Sequence, residues 1–364
     1  MKRIFNFSAG PSSIPSTVIK KIKKELFNWK DLHVSVMEVS HRNENFFTML
    51  ENMKKNLREI MNIPKNYKIL FCTGSGRSQF SAVPMNLISN TSTQADYVYS
   101  GIWSKYAIQE AKKYCKVNII NIVKKKGNKI FLSPMKDWNI TKKSVYIHYC
   151  ANETIEGLSI EEVPIFKNKI LVADFSSSIL SHPINIKKFG IIYAASQKNI
   201  GISGFSLVII REDLLKLKKN SFLPSFLNYQ IIQKKKSLFN TPSTFSWYVA
   251  NLVIEWIKSI GITNIYKMNQ EKSKILYSII DKYKIYQNHI LPISRSKMNV
   301  VFFIKNKYLQ EIFLKMSMKI GLLFLKGHAK VGGIRASLYN AMSIEGVEKL
   351  VSFMKNFSKT YKNF

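Results

Sequence analysis

The chain has 364 residues, 46% apolar and 12% aromatic, which excludes a disordered protein and leaves room for a large core. Its 56 Lys and Arg against 22 Asp and Glu give a net charge of +34, but the basic runs at 20–24, 124–126 and 234–236 are short and the other lysines are scattered; this reads as a solvated, lysine-rich surface and argues against a dedicated nucleic-acid face. Three scattered cysteines exclude a disulfide framework or zinc ribbon, no apolar stretch approaches the ~20 residues of a membrane span, and no apolar leader opens the chain, so a soluble cytoplasmic protein without membrane partners is expected.

After an irregular start around Ser8-Ala9-Gly10-Pro11, a helix is expected over 16–29, with Pro15 as its start signal. Phe46, Met49, Leu50, Met53, Leu57 and Ile60 recur at three- and four-residue intervals and predict a helix over 45–61, stopped before Pro64. The apolar run 67–72 has strand length; it meets Gly74-Ser75-Gly76-Arg77 and then a helical stretch over 79–87. Strands follow at 95–99, 117–122, 144–149, 169–173, 191–194 and 206–210, with a helix over 104–114 among them. Strands alternating with helices imply an α/β fold, a mostly parallel mixed sheet sandwiched by helices. After a long helix over 245–260, a helix from 262 to 283, a strand at 298–304 and helices over 308–320 and 343–357 form a smaller α+β portion. The expected organisation is an N-terminal segment (1–15) near the active site, a large cofactor-binding domain (16–258) and a small C-terminal domain (259–364).

Ligands in open α/β sheets bind outside the carboxyl ends of the strands, and three such ends carry chemistry. Gly74-Ser75-Gly76-Arg77 joins a strand to a helix and suits an anion, because glycines let backbone N–H groups approach it and the helix N-terminus favours negative charge. A plain tight turn would look the same. Asp174 stands at the tip of the apolar strand that begins at Ile170, where it serves either as a turn or cap residue or as a fixed charge for a pyridine nitrogen. Lys198 follows an apolar strand and small residues; it is either one more surface lysine or an amine whose proton affinity falls beside a desolvated strand end, so that it can form an imine. A phosphate cradle, a carboxylate and a lysine in this order are together far more specific than any one of them, and they match a pyridoxal-phosphate site.

At this point the sequence resembles a known family. Asn6-Phe7-Ser8-Ala9-Gly10-Pro11, Ser35 to Arg42, Asn152-Glu153-Thr154, Asp174-Phe175-Ser176-Ser177, Gln197-Lys198-Asn199-Ile200-Gly201, Asn240-Thr241-Pro242 and Gly332 to Ser337 are similar, end to end, to the phosphoserine aminotransferases, class V members of the fold-type I pyridoxal-phosphate transaminases. The resemblance implies that Lys198 is the Schiff-base lysine and proton shuttle, that Asp174 pairs with the pyridinium nitrogen, that Trp103 stacks on the ring and that Thr154 bonds the ring hydroxyl. It implies Gly76, Arg77 and Gln197 as phosphate ligands, with Asn240 and Thr241 reaching that phosphate from the other subunit of a homodimer with shared sites. His41, Arg42, His328 and Arg335 would bind the substrate, Arg335 as a planar fork on its carboxylate.

The implied reaction is reversible: glutamate and 3-phosphohydroxypyruvate give 2-oxoglutarate and phosphoserine in serine biosynthesis, with the 4-phosphohydroxythreonine pair of vitamin B6 synthesis as a second duty. Two stretches stand out among the departures from the family pattern, which also include Ala9, Ser75 and Ser78. Ala329 stands beside His328 where an arginine is expected, with Lys330 next to it as a point charge, and Gly201-Ile202-Ser203-Gly204 replaces Gly-Pro-Ala-Gly. The first implies a weaker grip on the substrate phosphate. Rival readings are another class V enzyme (an alanine–glyoxylate transaminase, or a desulfurase, which needs a reactive cysteine on a mobile loop) and a basic nucleic-acid-binding protein on the same fold.

Overall fold

The computed structural model describes residues 4–166, 168–218 and 221–361. Its centre is a 7-stranded sheet built from β1 (Tyr67–Thr73), β2 (Gln94–Tyr99), β3 (Lys116–Asn121), β4 (Tyr146–Cys150), β5 (Ile170–Asp174), β6 (Ile191–Ala195) and β7 (Phe205–Arg211). Across the sheet the order is β1-β7-β6-β5-β4-β2-β3. Only β7 runs against its neighbours; it is inserted between β1 and β6, and the remaining pairings are parallel. The sheet is thus mixed but mostly parallel, as expected.

Successive side chains of a strand point to opposite faces, and here both faces are covered. Ile69, Phe71, Leu171, Ala173, Ile192 and Ala194 pack on one side against α2 (Glu44–Ile60) and α6 (Thr244–Ile260), where Phe46 stacks on Trp247 at 6.1 Å. Leu70, Cys72, Val172, Ile191 and Tyr193 pack on the other side against α3 (Gly76–Leu87), α4 (Ile102–Ala111) and α5 (Tyr229–Lys234). The strands read as continuous apolar runs because neither face meets water.

A second core lies around a 3-stranded antiparallel sheet of β8 (Tyr286–Gln287), β9 (Asn299–Ile304) and β10 (Ile334–Ser337), covered by α7 (Ile262–Lys282), α8 (Lys307–Lys319) and α9 (Ile344–Thr360). Phe5 and Phe7 belong to this core, because Phe5–Asn6 pairs with Leu322–Leu323 as a short parallel ribbon. Helix α7 joins the two cores: Ile265 packs in the first and Leu276 and Ile280 in the second. Between them the buried amine of Lys272 donates to the carbonyls of Leu338 (3.2 Å), Tyr339 (2.9 Å) and Met342 (3.0 Å).

Helix α1 (Ser16–Glu25) is shorter than expected. Asn28 takes an extended φ of −145°, and its side chain accepts from the backbone N–H of His33 at 2.9 Å, which offers the chain a turn in place of a further helical one. Helix α3 begins earlier than expected, at Gly76, because Ser75 caps it by accepting from the Arg77 N–H. That shift puts Gly76 and Arg77 in the first turn of the helix.

Candidate active site

The carboxyl ends of β1, β2, β4, β5 and β6 converge on one cleft. Lys198 enters it from the turn after β6. The residue is only 9% exposed, and its amine donates to Thr154 Oγ1 at 2.8 Å. Burial brings the amine down to about 8; Asp174 pulls it back up and Arg335 pushes it further down. The backbone around Lys198 is clamped by the N-terminal segment. Ser12 Oγ donates to the Lys198 carbonyl at 2.6 Å and the Ser12 N–H donates to the Gln197 carbonyl at 3.0 Å. A Cβ on Gly10 would lie 3.4 Å from Lys198 Cγ, so this segment runs directly along the lysine stem.

Asp174 is 8% exposed at the tip of β5. Burial raises its carboxyl, while the N–H of Ser176, 2.8 Å from Oδ1, and the Lys198 amine work to keep it charged. Ser176 also accepts from the Ala195 N–H at 3.0 Å, which fixes the β5 end against the β6 end. A Cβ on Gly76 would come within 2.9 Å of Ser176 Oγ, so only glycine lets the start of α3 close down on this floor. The α3 N-terminus, Arg77, Gln197, Trp103 and Thr154 all border the cleft. Arg77 lies over two rings, 5.3 Å from the Trp103 centroid and 4.9 Å from that of Tyr106.

From the C-terminal sheet, Arg335 on β10 donates through Nη1 to the Thr154 carbonyl at 3.4 Å. Burial lowers its proton affinity somewhat, and Tyr339 and Glu156 offset this. His328 is half-buried; burial and the nearby Arg335 and Lys330 depress its ring. Lys330, beside the departing Ala329, hydrogen-bonds the Tyr106 hydroxyl and sits 4.8 Å from that ring, so the loop carrying His328 is fastened to α4 next to Arg77.

His41, Arg42, Asn240, Thr241, His328 and Arg335 are not among the residues that line the cleft of the single chain, although Arg335 reaches Thr154 at its wall. Arg42 and Thr241 are exposed; Asn240 reaches the end of β1, donating to Thr73 Oγ1 at 3.0 Å. Cys72, Cys115 and Cys150 are all buried, and burial pushes their thiols up, to about 12 for Cys72 and about 11 for Cys115. None is the exposed, activated thiol that a desulfurase needs.

Several contributors went unrecognised at the level of sequence. Glu153 accepts from the backbone N–H groups of Trp103 and Ser104, both at 2.9 Å, and from Ser100 Oγ at 3.0 Å; it therefore sets the start of α4 and the position of the indole. Tyr339 bonds the Ala9 carbonyl at 2.8 Å and accepts from Asn299 at 3.2 Å, tying the N-terminal segment to the second core. The only available signal was proximity, since Glu153 adjoins Thr154 and Tyr339 follows Arg335 by four positions.

The donor set fits pyridoxal phosphate. A buried amine able to lose its proton near neutrality stands among a carboxylate, a hydroxyl and an aromatic plane, with a glycine-started helix N-terminus and an arginine at the edge. The Trp103 indole N–H is buried with no protein hydrogen-bond partner, a donor at the cleft that a bound group could satisfy.

Comparison with known proteins agrees. The family model described as Aminotransferase class-V matches residues 4–350. A phosphoserine aminotransferase of Wigglesworthia glossinidia brevipalpis is 56% identical over 362 residues, 99% of this chain and 100% of the relative. One of Blochmanniella floridana is 50% identical, with 99% and 100% covered. The PLP-bound phosphoserine aminotransferase of Trichomonas vaginalis superposes with a TM-score of 0.92 at 37% identity, over 97% of this chain and 100% of that one. With motifs, cleft and likeness all end to end, the chain belongs to the phosphoserine aminotransferase family of class V aminotransferases.

Proposed function

We propose that the protein catalyses the reversible transfer of an amino group from glutamate to 3-phosphohydroxypyruvate, giving 2-oxoglutarate and phosphoserine, with the 4-phosphohydroxythreonine pair as a second substrate. The reading is that it works in the cytoplasm as a homodimer. Among the described residues no helix is long and apolar enough to cross a membrane. The observation that carries the proposal is the Lys198 amine, buried at a strand end between Thr154 and the Asp174 carboxyl and brought to about 8.

Bound pyridoxal phosphate supplies an electron sink for the carbon that loses its proton. Lys198 would hold it through its amine, and Asp174 would do so by keeping the ring nitrogen protonated. Trp103 would cover one ring face, Thr154 would meet the ring hydroxyl, and Gly76, Arg77 and Gln197 would take the phosphate. Lys198 then moves the proton at the substrate α-carbon, for which an amine titrating near neutrality is suited. Arg335 orients the α-carboxylate as a two-pronged donor. His328, His41 and Arg42 would bind the rest of the substrate, and the second copy would bring Asn240 and Thr241 to the cofactor phosphate. Lys330 and Arg77, flanking Tyr106, add positive charge for a phosphorylated substrate where Ala329 offers none.

Replacing Lys198 with Ala tests the assignment. Turnover of glutamate with 3-phosphohydroxypyruvate and the visible absorbance due to the covalent bond between Lys198 and the cofactor should both disappear. Retention of either one sinks the proposal.

A further inference from the structure

Beside the catalytic cleft lies a second cavity, and Asn152 stands in the wall of both. It is lined by Ser178 and His182 from the segment after β5, by Tyr266 and Asn269 of α7, and by Glu161 and Lys297; none of these six lines the catalytic cleft. Two of the side chains hold polar atoms that the protein leaves unpaired. Asn269 is 1% exposed, and its amide is fixed in orientation, because Nδ2 donates to the Ser181 carbonyl at 3.1 Å and to Asn340 Oδ1 at 2.9 Å. Asn340 is fixed in turn, its own Nδ2 donating to the Leu180 carbonyl at 2.8 Å. Asn269 Oδ1 is left without a hydrogen bond. Ser178 is 5% exposed, and its hydroxyl has no partner either. Buried polar atoms are costly to leave unpaired, so the two together point to an occupant of the cavity.

Hydrogen-bond sense and charge narrow the class of that occupant. Asn269 Oδ1 can only accept, so the occupant must donate; the Ser178 hydroxyl is free to donate, so an acceptor suits it. Glu161 and Lys297 form an ion pair, and the Lys297 amine also sits 5.7 Å from the centroid of the Tyr266 ring, which lies 6.0 Å from that of His182. Burial lowers the His182 ring, so it adds no charge at neutral pH. The cavity thus offers one negative and one positive group that sum to zero. An occupant with a single net charge would leave one charge unbalanced, whereas one that carries both signs meets each group.

We propose that this cavity is a second ligand site, for a small zwitterionic α-amino acid, whose ammonium group donates to Asn269 Oδ1 and faces Glu161 while its carboxylate accepts from Ser178 Oγ and faces Lys297. The site is independent of the substrate that the catalytic cleft takes.

The test is calorimetric titration of the holoenzyme with L-serine, and with glycerol as an uncharged control of similar size. One L-serine should bind per chain below about 10 mM, and glycerol should not. S178A removes only an unpaired hydroxyl, so it should fold and keep the natural kcat, yet bind L-serine about tenfold more weakly. E161Q combined with K297M removes both charges at partly exposed positions and should weaken binding by a similar factor. R335K, altered at the catalytic cleft, should bind L-serine as the natural protein does. Four results overturn the proposal. The first is no binding of L-serine up to about 10 mM, which would mean that water alone meets the two unpaired atoms. The second is glycerol binding as tightly as L-serine. The third is natural affinity in both S178A and the double variant. The last is affinity lost in R335K and kept in S178A, which would place L-serine in the catalytic cleft. If the double variant does not fold, S178A and the glycerol control decide.

Discussion

At neutral pH an ordinary lysine amine is unprotonated in a few molecules per ten thousand, whereas an amine brought to about 8 is so in about one of ten, roughly a 300-fold gain in reactive form. That gain comes mainly from burial, and Asp174 limits it by attracting the ammonium. On the proposed role of Asp174, the carboxylate that would keep the cofactor ring protonated also slows capture of the cofactor. Asp174→Asn still accepts from the Ser176 N–H but removes the charge. Capture of pyridoxal phosphate by the natural apoprotein, followed by visible absorbance, should rise about tenfold from pH 6 to 7 and level off above about 8. In the variant the rise should shift to lower pH, while turnover falls by about 10²- to 10³-fold. A variant whose capture follows the natural pH course would show that burial alone governs Lys198.

The start of α4 shows how an element is placed by residues that no periodicity reveals. Ser104 Oγ accepts from the Gly101 N–H at 2.9 Å, Glu153 and Glu156 take the next three N–H groups, and a Cβ on Gly101 would meet Glu153 Cδ at 2.6 Å. Gly101→Ala must displace this cap or the helix. A stability loss of about 1–3 kcal/mol is expected, read as a lower melting temperature together with weaker cofactor binding, because Trp103 moves with the turn; an unchanged melt would show that the cap has slack. The contrast with α2 and the sheet is instructive. Phe46 to Ile60 repeat at helical spacing and the strands are continuous apolar runs, so both were legible in sequence, as was the cluster of Gly76, Asp174 and Lys198 at strand ends. The ribbon of Phe5–Asn6 with Leu322–Leu323 was not, since two residues carry no period and their partners lie far along the chain. The hairpin of Val123–Lys126 and Lys129–Leu132 was hidden by its lysines, which read as a solvated run although they pair in register. Glu153 and Glu156 were hidden because a buried carboxyl looks in sequence like any surface one.

Across the whole molecule, the single chain supplies the lysine, the carboxylate, the indole and the α3 N-terminus, but leaves His41, Arg42, Asn240 and Thr241 outside the cleft. Asn240 is the sharpest case. It sits at the end of β1, bonded to Thr73, one residue before the glycine turn that opens the phosphate end of the site. From there it serves either its own cleft after a small rearrangement or the cleft of a second copy docked against this edge. In a two-fold dimer each copy offers the other the same surface, so residues outside one cleft can complete the other. Complementation separates the two cases. Lys198→Ala in one chain and the pair Asn240→Ala, Thr241→Ala in another should each give a nearly inactive protein. Mixed, dissociated and reassociated at equal amounts, half of the dimers pair unlike chains, and each such hybrid holds one site with a natural lysine and natural residues from the partner subunit. Recovery of about a quarter of the natural activity is therefore expected, rising and falling with the hybrid fraction seen by native mass spectrometry. If Asn240 and Thr241 act within their own chain, every site in the mixture carries one defect or the other, and mixing restores nothing.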